Sequence, residues 1–375
     1  MRGKTVNGND QKGITGEGTT SSGTSWRKRA EDESILYVGI DLGTSRTSIS
    51  ASNGVRETVR SIVGYPKDVV SRKFLQKDVL FGDDALANRL ALNMYRPLEK
   101  GVIKYSDAVG ASNEDVDQNL EAARALIRHA VALSAPKPGQ LIYGVIGCPA
   151  QASIHNKQSL IEAAREVLDS VVICSEPFSV AYGMDRLTDA LVIDIGAGTT
   201  DLCRMKGSMP DEEDQFTMTA AGDFVDQQLY ELFKTRCPDA SFTINMVREV
   251  KEKHAFVTEA AEPVLVQFPV RGKPTTFDVT AEMRKGCRRI IDPIVEAVDR
   301  LVSTFDPEFQ ERLRRNVILA GGGSRIYGLD RAIEEALAPF GGGKVTPVEE
   351  PCYAGANGAL KIAYDMPAEA WEQLR

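Results

Sequence analysis

Two aspartates, each delivered by an apolar run and each followed two residues later by a glycine, carry the chemistry of this chain. In residues 191–201, LVIDIGAGTTD, the apolar run reads as a buried strand ending on Asp194, followed by Gly196, Ala197, Gly198 and Thr199. Glycines at this spacing let backbone N–H groups turn toward an anion with no Cβ in the way. A carboxylate beside such an anion can hold a divalent cation directly or through water. A plain hairpin turn accounts equally well for one such stretch. LYVGIDLGTSRTS at 36–48 repeats the design, with Asp41 in the place of Asp194 and Gly43 in that of Gly196. Two copies suggest two related lobes, each offering a phosphate-gripping hairpin to one cleft.

The elements that must position these residues follow from periodicity. TSISAS at 47–52 reads as the return strand of the first hairpin, and Asn53-Gly54 as a tight turn into VRETVRSIVG. Short strands and turns are expected up to a helical segment at 83–94, and RPLEKGVI (96–103) as a loop closed by a short strand. Leu120, Ala123, Leu126, Ile127 and Ala130 predict a helix over 114–134. LIYGVIGCP (141–149) reads as a central strand, with a helix across 156–168. VVICSEPFSVAYGMD (171–185) places Glu176 where a buried strand gives way to a helix with proline in its first turn. By itself a glutamate there is an N-terminal charge facing the helix dipole. Further on, a strand is expected at 216–221, helices at 224–236 and 244–257, strands within 262–279 and one long amphipathic helix over 280–303. On spacing alone Lys251 and Glu252 lie on a solvated helix face. NVILAGGGSRIYGL (316–329) reads as strand, glycine-rich turn and helix start, a place for an anion or ribose. YAGANGALKIAY (353–364) reads as a closely packing small-residue helix.

Composition narrows the class. With 375 residues, 42% of them hydrophobic, the chain can bury substantial cores as two domains or one bilobed one. A net charge of −8 and pI near 5.2 argue against nucleic acid as partner. No window approaches 18 uninterrupted apolar residues, so membrane insertion is not expected. The six cysteines (148, 174, 203, 237, 287, 352) show no C-x-x-C and read as buried, reduced thiols of a cytosolic protein. Residues 1–34 are polar, lack the apolar core of a signal peptide and are expected to form a disordered tail. Trp26 and Arg27-Lys28-Arg29 in that tail could dock a partner. The phosphate-loop sequence G-x-x-x-x-G-K-[ST] is absent, since GGGKVT at 341–346 lacks the first glycine and the hydroxyl after lysine.

IDLGTSRTSIS, CSEPFSVAYG, IDIGAGTTDL, ILAGGGSRI and AGANGALKIA resemble, in order, the five motifs of the actin, Hsp70 and sugar-kinase ATPase superfamily. The resemblance spans residues 35 to about 365. RPLEKGVI and the chain length are similar to bacterial actins, and SIVGYPKDV with the SEPF and GGGSRI forms to the actins of magnetosome chains.

The resemblance implies an α/β fold of two lobes, each with a five-stranded mixed sheet: 35–175 completed by 352–375, and 176–351. It implies ATP or ADP with Mg²⁺ between them and ATP hydrolysis as the activity. Asp41 and Asp194 would place the metal and its water shell. Gly43, Thr44, Ser45, Gly196, Ala197, Gly198 and Thr199 would cradle the phosphates, and Glu176 would orient the attacking water. Lys251, Glu252, Gly322, Gly323 and Ser324 would meet ribose and adenine, with Gly222 and Asp223 at a further nucleotide-side turn. Hinges near 175–185 and 351–358 would let the lobes rotate. Copies of the chain joined head to tail would form cytoplasmic filaments, with magnetosome-associated proteins as further partners through the filament surface or the tail. A plasmid-segregating or cell-shape actin is the alternative. A sugar kinase would need a substrate-side aspartate base, for which no candidate is evident. A chaperone would need a peptide-binding domain after the ATPase lobes.

Overall fold

In the computed structural model, residues 34–104, 113–260 and 262–375 are described; the tail expected over 1–34 lies outside them but for Ser34. Two five-stranded sheets organise the chain. The first runs in the order Ser170–Ser175, Leu141–Cys148, Ile35–Leu42, Arg46–Ala51, Arg56–Arg60. Ile35–Leu42 pairs parallel to Leu141–Cys148 and antiparallel to Arg46–Ala51, in the register Asp41↔Ser48. In the second sheet the order is Val345–Pro347, Val317–Ala320, Thr188–Ile195, Thr200–Lys206, Gln215–Met218. Thr188–Ile195 is parallel to Val317–Ala320 and antiparallel to Thr200–Lys206, in the register Asp194↔Asp201. The sheets therefore repeat one topology, two parallel strands, then the aspartate strand, then two antiparallel returns. This is the duplication expected from the repeated hairpin.

The central strands are apolar on both faces because helices cover both. Val38, Ile40, Val145 and Ile146 in the first sheet, and Leu191, Val192 and Ile193 in the second, are fully buried. Asn113–Leu133 forms the expected helix and buries Ala123, Leu126, Ile127 and Ala130. Two helices join the halves, Glu176–Gly183 and Ala354–Asp365. They cross backbone to backbone: a Cβ on Gly358 would sit 1.7 Å from the Ser179 carbonyl oxygen, and one on Gly39 would sit 2.1 Å from that of Ala356. Any larger residue there would force helices and sheet apart. The last helix, Ala368–Leu374, is anchored by Trp371, which is fully buried and stacked on Tyr143 at 5.2 Å. Its loss removes a large apolar contact, about 3–5 kcal/mol for a buried tryptophan cut to alanine.

Several expectations are corrected. Val69–Leu75 is helical although Val69-Val70 favours strand, because Asp68 and Ser71 form a reciprocal capping box. The helix expected over 83–94 is a short one, Gly82–Ala87, followed by a 3₁₀ turn and the strand Leu92–Tyr95. The long helix over 280–303 is two, Thr280–Arg288 and Ile291–Ser303. Pro293 has no N–H for the Arg289 carbonyl, and its ring would collide with that group, so the helix restarts. After Val317–Ala320 the chain makes the 3₁₀ turn Gly322–Arg325, and the α-helix begins only at Leu329.

Candidate functional site

The two aspartate hairpins meet at their tips. A Cβ on Gly198 would lie 2.6 Å from Thr44 Oγ1 and 2.8 Å from Lys100 Cα, so only hydrogen fits between the halves there. Thr44 Oγ1 in turn accepts the Gly101 N–H at 2.8 Å, which leaves the hydroxyl proton free to donate. Within the second hairpin Gly196 N–H bonds the Thr199 carbonyl at 2.9 Å. The start of the helix Gly222–Arg236 docks on the same turn, through Gly222 N–H to Gly196 O at 3.0 Å and Asp223 N–H to Ala197 O at 2.7 Å. Two further turns close on the aspartates themselves. A Cβ on Gly321 (φ 73°) would strike Asp194 Oδ1 at 2.2 Å, and one on Gly355 would sit 2.9 Å from Asp41 Oδ2. Gly355 opens a helix, so Asp41 stands at its positive end.

Between the halves lies a cleft of about 330 Å³, the size of a small-molecule site. Asp41, Glu176 and Asp194 stand in its wall, with Gly43, Thr44 and Ser45 on one side and Gly196, Ala197, Gly198 and Thr199 on the other. Gly222, Asp223, Lys251, Glu252, Gly322 and Gly323 complete the expected set. Ser324 does not line the cleft; its hydroxyl donates to the Gly321 carbonyl at 2.7 Å and holds the 3₁₀ turn. Lys251 is no surface residue: its Nζ donates to Gly222 O at 2.8 Å and pairs with Asp226 at 2.7 Å. Glu252 reaches across the cleft mouth to Arg46 at 3.3 Å and Arg60 at 3.8 Å.

The charge pattern is specific. Burial pushes the Asp41 carboxyl up to about 6. Asp194 is raised well above the usual carboxylate range by burial and then by Asp41 and Asp201. Glu176 is raised likewise by burial, then by Asp201, Asp41 and Asp194. No ion pair neutralises Asp41, Glu176 or Asp194 among the described residues, so these three carboxyls stand without a cationic partner beside the two glycine turns. Such a site suits an anion that brings its own cation.

Arg46, Arg248, Lys253, Arg325 and Cys352 also line the cleft and were not singled out in the sequence. Arg46 follows Ser45 directly, and Arg248 lies one helical turn before Glu252, a spacing that could have flagged it. Nothing in the sequence distinguishes Arg325 or Cys352, which the fold brings to within 3.9 Å of each other.

The MreB/Mbl protein family matches residues 36–369 of the chain. The actin-like protein MamK of Paramagnetospirillum magneticum (strain AMB-1) is 40% identical over 339 residues, 90% of this chain and 95% of that protein. The fold superposes on a subunit of the MamK double helical filament with a TM-score of 0.84 at 40% identity, covering 89% of this chain and all of the other. A non-polymerising MamK variant bound to AMPPNP superposes with a TM-score of 0.67 at the same identity, over 88% and 99%. With the duplicated sheet and the hairpin-lined cleft, these likenesses make the chain a member of the MreB/Mbl family of actin-like proteins.

Proposed function

We propose that the chain binds ATP with Mg²⁺ in the cleft, assembles head to tail with further copies into cytoskeletal filaments, and hydrolyses the nucleotide to turn the polymer over. The meeting of two aspartate hairpins at one cleft, with Glu176 between them, carries the reading. The lobes divide as 35–175 with 352–375, and 176–351; the joining segments 175–185 and 351–358 are the hinges. The likeness to a subunit of the MamK double helical filament supports assembly.

Magnesium fits the residues present. Asp41 and Asp194 are raised carboxylates without cationic partners. Among the described residues no group of three or more acidic, histidine or cysteine side chains could cage an ion alone, whereas magnesium takes one or two carboxylates and completes its shell with phosphate and water oxygens. When bound, the ion supplies neutralisation of phosphate charge. The chain does the rest. Backbone N–H groups of 43–45 and 197–199, with the Thr44 and Ser45 hydroxyls, donate to phosphate oxygens, while the Gly196 N–H closes the turn on the Thr199 carbonyl. Gly222, Asp223, Lys251, Glu252, Gly322 and Gly323 stand along the ribose and adenine side; Ser324 acts there only through its turn. Glu176, as a carboxylate, accepts a proton of the attacking water and orients its lone pair.

A filament needs a heterologous contact whose rotation does not close, and lobes tied by one triphosphate present that surface in one geometry. The likeness to magnetosome-chain actins supports a cytoplasmic polymer that positions these organelles, through magnetosome-associated proteins on its surface. A cell-shape role is the second reading, favoured by the MreB/Mbl match itself. Sedimentation and electron microscopy with ATP–Mg²⁺, ADP–Mg²⁺ and no nucleotide test assembly, and no polymer under any condition refutes it. Imaging the tagged protein in its host separates a line of organelles from the cell envelope.

A further inference from the structure

Asp201 is the cross-strand neighbour of Asp194 in the second hairpin; the same place in the first, opposite Asp41, holds Ser48. Paired positions of an antiparallel ladder share a face, with Cβ atoms roughly 4.5–5.5 Å apart, and like charges there repel. Asp201 is fully buried and is not part of the cleft wall. Its Oδ1 accepts the Ala150 N–H at 2.8 Å and the Thr217 hydroxyl at 2.6 Å, and the Thr199 hydroxyl also donates to the carboxyl. A buried carboxylate opposite another one destabilises the fold. A serine, as in the first hairpin, would remove that penalty.

What Asp201 holds explains its presence. Ala150 belongs to the other half, just beyond the strand Leu141–Cys148 that carries Gly147. Gly147 leaves the room that Glu176 fills, for a Cβ there would lie 3.3 Å from Glu176 Cγ. Gln151 extends the tie: its N–H donates to Thr217 Oγ1 at 3.0 Å, and its Oε1 accepts the Thr217 N–H at 3.1 Å. The segment beside Glu176 is thus fastened to the strand pair that presents Asp194.

We propose that Asp201 is a positioning residue for hydrolysis, pinning the 149–152 segment of one lobe to the Asp194 hairpin of the other and so fixing Glu176 relative to the phosphate-side aspartate. It does not touch nucleotide. The proposal rests on the ATPase reading above.

Asp201→Asn keeps an oxygen that can accept both bonds; Asp201→Ala removes it. In the full chain, kcat, affinity for a fluorescent ATP analogue and hydrogen exchange at the Ala150 amide are measured for both. For the alanine variant kcat is expected to fall about 10–100-fold, the scale of an ångström's misplacement. Its nucleotide Kd should stay within about threefold, the margin set by contacts it does not make, and the Ala150 amide should lose protection. The asparagine variant keeps both bonds and removes a charge that raises Glu176, so its Ala150 protection and Kd should stay near wild type and its turnover should not fall below wild type. Unchanged turnover in Asp201→Ala, a parallel loss of affinity and turnover, or an asparagine variant as impaired as alanine each overturns the pin. If Asp201→Ala does not fold, Gln151→Ala combined with Thr217→Val loosens the same tie, and unchanged kcat there overturns it equally. A wild-type chain that binds ATP without hydrolysing it defeats the ATPase reading instead, and Ala150 exchange in the two variants still decides whether Asp201 fastens the lobes.

Discussion

Gly198→Ala tests whether the two hairpins act as one clamp. The added methyl would stand 2.6 Å from Thr44 Oγ1, 2.8 Å from Lys100 Cα and 2.9 Å from Lys100 N. Carbon contacts settle at about 3.5 Å or more, so the shortfall is roughly 0.7 Å. Thr44 can turn its side chain, but Lys100 offers backbone, in a left-handed turn at φ 52° followed by Gly101 at 72°. Relief therefore comes from parting the lobes by most of that distance. Each hairpin keeps its own N–H donors, so nucleotide affinity should fall only severalfold, while turnover, which needs both sets aligned on one phosphate, should fall about 10–100-fold. Stability should change little, because alanine also restricts the unfolded chain by about 0.4–1 kcal/mol. Steady-state ATPase, analogue binding and a thermal melt separate the three effects. A Gly198→Ala protein that hydrolyses ATP within twofold of wild type would show that the hairpins need not touch, and the clamp argument would fail.

Glu176→Gln keeps the shape of the site and removes the water-orienting carboxylate; hydrolysis should drop about 10²–10⁴-fold with binding retained, and a normal rate in single-turnover assays refutes the role. Asp41 has a folded pKa of about 6 against 3.8 ordinarily, so its ionisation opposes folding. The protonated form's stability is fully present below pH 3.8 and is lost as pH rises through 6. Asp41→Asn should therefore stabilise nucleotide-free protein at pH 7.5 by up to about 3 kcal/mol, at 1.36 kcal/mol per pKa unit, a gain that vanishes near pH 4; denaturant curves at the two pH values check this. Burial, then Glu176, pushes the Cys148 thiol up to about 12, leaving almost no thiolate at pH 8, so iodoacetamide should label it only after unfolding, as peptide mass spectrometry would show. The Arg46–Glu252 pair spans the cleft mouth, at 40% and 34% side-chain exposure, so Arg46→Ala should speed nucleotide release about two- to fivefold at low salt and little at 0.5 M; a salt-independent change argues against a latch.

The strand ends that carry Asp41, Glu176 and Asp194 were legible because each combines an apolar run with residues that strands and helices tolerate only at their termini. The repeated topology was legible for the same reason, since both hairpins use one local pattern. What escaped the sequence depends on tertiary packing. Val69-Val70 reads as strand until the Asp68–Ser71 cap is counted, and the break before Ile291 hangs on Pro293, hidden inside an otherwise regular amphipathic pattern. Lys251 reads as a solvated lysine because its partners, Asp226 and the Gly222 carbonyl, lie on another helix. Arg325 and Cys352 arrive at the cleft from turns 27 residues apart, and no local periodicity reports such a meeting.

The two halves differ where their jobs must differ. Both aspartate strands pair with a return strand, yet Ser48 stands opposite Asp41 and Asp201 opposite Asp194. Ser48 bonds the Thr58 hydroxyl at 3.0 Å within its own lobe, so the first hairpin is complete by itself. Asp201 takes the Ala150 N–H from across the divide. The joining helices meet through Gly183 and Gly358, where a Cβ on Gly183 would stand 2.9 Å from Gly358 Cα. Contacts that close fix the separation of the two helices, which cannot slide apart without losing backbone packing.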